Sequence, residues 1–532
     1  MLDERNVNPE ENTGRKSLER KNSERQNSEQ KNSEPKASVR MPLPKKIWYF
    51  LIGKTESKGK KSQKEIMLTT YLVVAAFLGM FVYLCYFVGT SEQEVLNNSY
   101  NSRQEILIAQ NYRGDILSDK GDKLATTTLD SSQNETRVYP YGDMFSHVVG
   151  FSTHGRTGIE AAANYYLITS SAPITDKVVN DVAGNKNPGD DVYTTLNTAL
   201  QETAYKALGV YDGAIIVSEP DTGKILAMVS KPGFDPNTID ADWDELTKDK
   251  TSGKLLNRAT QGLYPPGSTF KIVTALEYIR ENPETYNNYS FQCNGRFVLG
   301  DSKIQCYHGS NHGAVNFKSS FAKSCNSSFA NIGTKLDRTK FRSTLDSLLF
   351  DKELPVKFVY GTSSVHMEES LSDEEIIQTS IGQGKTQITP LHLNMITNAI
   401  ANNGTLMKPY LIDCVTNSDN SIVKQFKSSS YGKLITEDEA KILQDLMKEV
   451  VNNGTATFLK SADYTSAGKT GSAEYNSKGD SHAWFTGFAP AENPKVCVTI
   501  IVEGAGSGGD YAVPMAKRLF DTYFEEFPLN EE

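Results

Sequence analysis

Histidine and tryptophan are scarce in this chain, at seven and three among 532 residues. None of the histidines stands at His-Glu-x-x-His spacing, so a zinc protease of that type has no support. Gly384-Lys385-Thr386 lacks the glycine that a phosphate-binding loop needs five residues before Gly384, where Thr379 stands. Gly506-Ser507-Gly508-Gly509 lacks the first glycine of a nucleophile elbow, because position 505 is Ala505. Positive charge is missing where nucleic acid would need it. Residues 1–65 hold 16 Lys+Arg against 10 Asp+Glu, yet the whole chain carries −9, so the remainder is acidic. Phosphate neutralisation needs a concentrated basic surface, and nucleic acid is set aside as the partner.

The longest charge-free run is Ile66 to Val88, 23 residues, about 34 Å as a helix and enough to cross a bilayer. A cleaved signal peptide fits poorly, since the run is long and no Ala-x-Ala site follows. Lys46, Lys54, Lys58, Lys60, Lys61 and Lys64 precede it, and Arg103 is the one basic residue in the twenty that follow. The positive-inside rule then predicts a single-pass protein of the cell membrane, with a cytoplasmic N-terminus and an external body. Residues 1–65 read as a disordered basic tail, with Ser23, Ser28, Ser33 and Ser38 recurring in a polar stretch that offers no core. Within it, Ile47-Trp48-Tyr49-Phe50-Leu51-Ile52 is too short to span and suits the inner leaflet.

After the anchor at 66–88, residues 89–197 alternate short apolar strings with turn residues, as at Asp119-Lys120-Gly121, and read as a small strand-rich, non-catalytic pedestal. From 198 to 532 strands such as Gly213 to Ser218 mix with helical patterns such as Phe270 to Tyr278. That is an α+β domain.

In Pro265-Pro266-Gly267-Ser268-Thr269-Phe270-Lys271, proline and glycine close a loop and Ser268 opens a helix with Lys271 one turn on. Residues i and i+3 share a face, so the amine can reach the hydroxyl and serve as the base that a serine nucleophile needs. Ser-x-x-Lys alone carries little, since it also occurs at Ser28, Ser57, Ser320 and Ser430. Two further elements change its weight. Ser324-Cys325-Asn326 lies 56 residues after Ser268, in a segment whose apolar spacing (Phe317, Phe321, Cys325, Phe329) is helical. Lys469-Thr470-Gly471-Ser472 begins 145 residues after Ser324 and leads into a strand pattern at Ala483 to Phe488. Gly471 is expected to let a substrate backbone approach the strand edge.

Ser-x-x-Lys, Ser-x-Asn and Lys-Thr-Gly in this order resemble penicillin-binding proteins and serine β-lactamases. Supporting stretches are Tyr112-Arg113-Gly114-Asp115-Ile116, Gly155 to Glu160, Asp221 to Met228, Asn257 to Thr260 and Ile381-Gly382-Gln383-Gly384, so the resemblance runs over residues 105–525. It is closest to the class B, monofunctional branch. The resemblance implies a penicillin-binding transpeptidase fold, with a central antiparallel sheet between helices, standing on a pedestal. It also implies a D,D-transpeptidase that acylates Ser268 with peptidoglycan stem peptides and is inhibited by β-lactams. In those roles Lys271 takes the proton of Ser268, Ser324 and Lys469 relay protons to the leaving amine, and Asn326 holds the substrate amide. Thr470 and Ser472, with Lys469 and beside Gly471, bind the terminal carboxylate, and the N–H groups of Ser268 and Ser472 form the oxyanion hole. No cofactor is implied for this chemistry. Glycan polymerase and the proteins of an elongation or division complex are the implied partners. Transfer of the acyl group to water, as in a D,D-carboxypeptidase or β-lactamase, is the alternative enzyme reading. A non-catalytic β-lactam sensor is the third.

Six cysteines remain to be placed. Cys85 falls in the anchor, and Cys414 and Cys497 sit in apolar strings suited to a core. Cys293, Cys306, His312 and Cys325 supply four soft ligands within 33 residues, the set for a tetrahedral structural zinc. A Cys293–Cys306 disulfide with Cys325 packed behind is the other reading of the same spacing.

Overall fold

The computed structural model describes residues 60–97, 103–132, 134–460, 463–475 and 481–529. The basic tail up to residue 59, including Ile47 to Ile52, lies outside them. Two compact units divide the chain, Met1–Gly89 and Thr90–Glu532. In the first, a helix begins at Lys60 and runs to Asn97, and its portion Lys64–Val88 is long and apolar enough to cross a membrane.

The core of the second unit is a five-stranded antiparallel sheet. Its strands are β1 (Gly213–Ser218), β2 (Ile225–Lys231), β3 (Ala467–Glu474), β4 (Ser481–Ala489) and β5 (Val496–Val502), in the order β3-β4-β5-β1-β2. Every residue of β1, β4 and β5 is buried, which requires cover on both faces and explains their nearly unbroken apolar runs. Helix Pro390–Ala401 packs against β4, β5 and β1. Helices Thr198–Leu208 and Ala512–Glu526, packed on each other, cover β1, β2, β4 and β5. The helix at Pro390 starts where sequence dictates: Thr389 accepts from the His392 N–H as N-cap, and proline occupies the first turn.

The segment expected as a pedestal contributes to a second sheet, with strand order Ile422–Gln425, Ile412–Thr416, Asp191–Thr194, Ile116–Leu117, Lys123–Leu129, Glu135–Val138. The Asp119-Lys120-Gly121 turn joins Ile116–Leu117 to its antiparallel partner Lys123–Leu129. Two of the six strands come from beyond residue 198, Ile412 to Thr416 pairing with Thr194 to Asp191. This hairpin completes the sheet from within the expected catalytic segment. The pedestal segment also holds helices Arg103–Gln110 and Ile174–Ala183.

A buried ion cluster fixes this region. Glu160 is fully buried and accepts from Arg113 Nε at 2.5 Å and Arg137 Nε at 2.8 Å, while Tyr139 Oη donates to it at 3.2 Å. Arg113 also reaches the Glu160 carbonyl and Asn164, and Arg137 reaches the Gly114 carbonyl. Burial works against the Glu160 charge, but the two guanidiniums outweigh it and hold the carboxyl below its usual range. Removing one member of such a cluster strands the others without partners. Glu160→Ala is expected to destabilise the second unit by about 3–5 kcal/mol, read as a lower urea midpoint by tryptophan fluorescence. A shift within error would show the cluster to be dispensable.

Candidate active site

Ser268 sits in a 3-10 turn, Gly267–Phe270, that runs into helix Lys271–Glu281. The approach is pinned to the sheet by Trp484 Nε1 donating to the Pro265 carbonyl at 3.1 Å. Gly267 has φ of +54°, and a Cβ there would stand 2.7 Å from the Ser472 carbonyl. Only glycine brings the start of the nucleophile turn this close to β3.

Lys271 is fully buried beneath Ser268, Nζ to Oγ 3.1 Å. Its other neighbours are the Ser324 carbonyl at 2.7 Å, Asn326 Oδ1 at 2.6 Å and Ser324 Oγ at 3.2 Å. A neutral amine has two N–H donors and one lone pair. With both donors turned to the carbonyl and Asn326 Oδ1, the lone pair is left for the hydroxyls of Ser268 and Ser324. Burial lowers this lysine to about 7, against which nearby Cys325 and Cys306 act weakly.

Ser324 lies in a break that the apolar spacing did not predict. Instead of one helix through Phe329 there are two, Phe317–Ala322 and Asn326–Gly333, the second capped by the Cys325 side chain accepting from Ser328 N–H. Ser324 takes φ of +54°, a conformation costly for a non-glycine residue. The break turns its carbonyl to Lys271 and its hydroxyl between two amines, since Lys469 Nζ lies 2.9 Å from the same Oγ. Lys469 is fully buried on β3, and burial, then the charge of Lys271, holds it well below the ordinary lysine range. Asn326 Nδ2 donates to the Gln305 carbonyl, which orients the amide. Thr470, also buried, shares a 2.5 Å hydrogen bond with Thr455, a residue no motif pointed to. Ser472 Oγ accepts from Gly508 N–H at 3.4 Å.

At Gly471 the strand meets the nucleophile segment closely. A Cβ there would lie 3.1 Å from the Pro266 carbonyl, Thr269 Cγ2 and Trp484 Cβ. The missing side chain makes room for the segment carrying Ser268.

Cys293, Cys306, His312 and Cys325 converge next to this site, with their ligand atoms all within 4.8 Å of one another. Cys293–Cys306 and Cys306–Cys325 sulfurs are 3.7 and 3.8 Å apart, and Cys293 Sγ lies 3.5 Å from His312 Nδ1. A tetrahedron with Zn–S bonds of about 2.3 Å has S···S edges of about 3.8 Å, and about 3.6 Å where one ligand is a nitrogen. Those three separations match such edges. Mutual hydrogen bonding pushes Cys306 down to about 3 and Cys325 up. Cys414 and Cys497 do not belong to the cluster, and burial raises Cys497.

A family model described as the penicillin-binding protein transpeptidase domain matches residues 213–521, and one described as the penicillin-binding protein A dimerisation domain matches 113–192. The chain is 30% identical over 457 residues to the peptidoglycan D,D-transpeptidase PbpA of Mycolicibacterium smegmatis, covering 80% of this chain and 90% of that one. Among solved structures it is similar to the D,D-transpeptidase domain of a peptidoglycan glycosyltransferase from Eggerthella lenta. There the TM-score is 0.71 and the identity 30%, over 79% of this chain and all of that one. Penicillin-binding protein A of M. tuberculosis, solved as a ceftriaxone acyl-enzyme, is similar with TM-score 0.71 and 28% identity, over 78% of this chain and 98% of that one. With a serine, two buried lysines and a second serine gathered at the edge of an antiparallel sheet, the chain belongs to the class B penicillin-binding proteins and is a serine-type D,D-transpeptidase.

Proposed function

We propose that Ser268 is the residue acylated by peptidoglycan stem peptides, and that the acyl group then passes to an amine of a neighbouring stem. The observation that carries this is the continuous chain Ser268 Oγ, Lys271 Nζ, Ser324 Oγ, Lys469 Nζ, with links of 3.1, 3.2 and 2.9 Å. Ser268 Oγ attacks the carbonyl between the two terminal D-alanines and its proton moves to Lys271. The oxyanion is held by the N–H groups of Ser268 and Ser472, and fixed donors of this kind are typically among the largest catalytic terms. Collapse breaks the peptide bond, and the leaving D-alanine amine receives its proton through Ser324 and Lys469. Thr470 and Ser472 bind the carboxylate, and Asn326 the donor amide. An incoming amine then attacks the ester, and its proton returns by the same chain. β-Lactams, which imitate the D-alanyl-D-alanine end, acylate the same hydroxyl.

The membrane helix holds this unit at the cell membrane. The lysines before it and their absence after it support a cytoplasmic N-terminus and an extracytoplasmic catalytic unit. Glycan polymerase and its elongation or division partners are the proposed company, because cross-linking needs fresh glycan strands beside it. The acylation chemistry of this family needs no cofactor. The cysteine cluster is proposed to hold one structural zinc through Cys293, Cys306, His312 and Cys325. Bound there, the ion would supply rigidity, because Cys325 stands between Ser324 and Asn326 and its position sets theirs.

Incubated with benzylpenicillin, the wild type should gain one adduct by intact-mass spectrometry, and Ser268→Ala none. Lys271→Ala should slow acylation by about 10²–10⁴-fold. Because neutral Lys271 is the form that accepts a proton, and burial lowers it to about 7, the acylation rate should climb through that pH to a plateau on the alkaline side. A rate flat from pH 6 to 9 would remove Lys271 from the role of base. Protein purified without chelator should carry one zinc per chain, and Cys306→Ser should lose it at least about tenfold more readily. No zinc together with two thiols lost to oxidation would overturn the metal assignment.

A further inference from the structure

Among the described residues, β3 stands at the end of its sheet with β4 as its one strand neighbour, so its other edge faces the active site. The backbone N–H and C=O of one strand residue point to the same side, and that side alternates along the chain. At Glu474 the outward pair is already taken. The side-chain amide of Gln383 lies 3.2 Å from the Glu474 carbonyl and 3.1 Å from the Glu474 N–H; assigned with Nε2 to the carbonyl and Oε1 to the N–H, the orientation that satisfies both, it makes the two bonds that a residue of a neighbouring strand would make. By alternation, the outward groups two and four positions earlier belong to Ser472 and Thr470. The open edge therefore ends at Ser472.

Gln383 is held firmly in that position. Its N–H donates to the Gln378 carbonyl, and the preceding Gly382 donates to Thr379, both at 2.9 Å. The Gly382 carbonyl accepts from Gly267 N–H at 2.9 Å, in the turn that carries Ser268. With φ of +74°, Gly382 has no room for a Cβ, which would meet the Gly267 carbonyl at 2.1 Å. The turn is thus fastened to the nucleophile segment at one residue and to the β3 edge at the next.

We propose that Gln383 is a positioning residue that sets donor specificity by capping the edge available to the acyl donor. This rests on the reading of Ser268 and Ser472 as the acylation site. In that reading the donor carboxylate lies toward Thr470 and the scissile carbonyl at Ser472, so the amino side of the donor runs toward Glu474. Its next ladder position is the one that Gln383 fills. The donor pairs with β3 through its terminal residues alone, and the rest of the stem turns away from the sheet. Recognition is confined to the D-alanyl-D-alanine end, and the remainder of the peptide contributes no ladder bonds.

The test uses the full-length protein in detergent and D-alanine release from two synthetic donors ending in D-Ala-D-Ala, one of two residues and one of five. Gln383→Met keeps the length of the side chain without its amide, and Gln383→Ala removes both. In each variant the ratio of kcat/KM for the long donor over the short one should rise about three- to tenfold, the worth of one or two newly available peptide hydrogen bonds. A ratio equal to the wild type's in both variants, with both donors slowed alike, would overturn the proposal and leave Gln383 a structural strut. Failure of the wild type to form a benzylpenicillin adduct at Ser268 would instead remove the reading beneath it.

Discussion

Two lysine amines share one serine hydroxyl in the interior of this protein, and both are without solvent exposure. Neither charge is easy to keep there. Desolvation disfavours the ammonium at each position, and the charge on one raises the cost of a charge on the other. The pair is best regarded as one titrating unit that holds fewer protons than two lysines in water would. That shortage gives a proton from Ser268 somewhere to go. Most of the surrounding architecture serves to keep the two amines together: the 3-10 turn under Ser268, the helix break at Ser324 and the buried strand that carries Lys469.

The break at Ser324 shows how this is achieved. A continuous helix through residues 317–333 would send the hydroxyl of residue 324 along the helix surface and tie its carbonyl into the helical ladder. The left-handed residue frees both for the lysines. The strain sits in one residue, and a helix on either side anchors it. Asn326, at the start of the second helix, takes one of the two donors of Lys271 and so fixes which way its lone pair faces. The cysteine cluster joins the same three-residue link, Lys323 to Cys325, through Cys325.

Sequence was a good guide wherever the determinant is local or chemical. Ser268 and Lys271 stand one helical turn apart, and that spacing alone predicts their contact. The order and spacing of the three motifs carried the family, and the charge-free run Ile66 to Val88 carried the membrane helix. What sequence concealed depends on long-range closure. The apolar period at Phe317, Phe321, Cys325 and Phe329 continues across Ser324 because both half-helices bury the same side, so periodicity cannot show the break. The approach of Gly471 to Pro266 joins segments 205 residues apart, which no local pattern announces. Gln383 was visible only as part of a matching Gly-Gln-Gly string, and its partner Glu474 lies on a strand that nothing near it in sequence announces. The four metal-site candidates were legible as a set, and the structure brings their ligand atoms within 4.8 Å of one another.

The hairpin at Ile412 to Gln425 has a consequence for how the protein is assembled. It completes a sheet whose other strands were made more than two hundred residues earlier, Ile412 pairing with Thr194. Contacts of such separation form late, because the loop they close carries a large entropic cost until its own interior is organised. Until that hairpin docks, the edge at Asp191–Thr194 stays uncovered. An uncovered edge is a template for pairing with other chains.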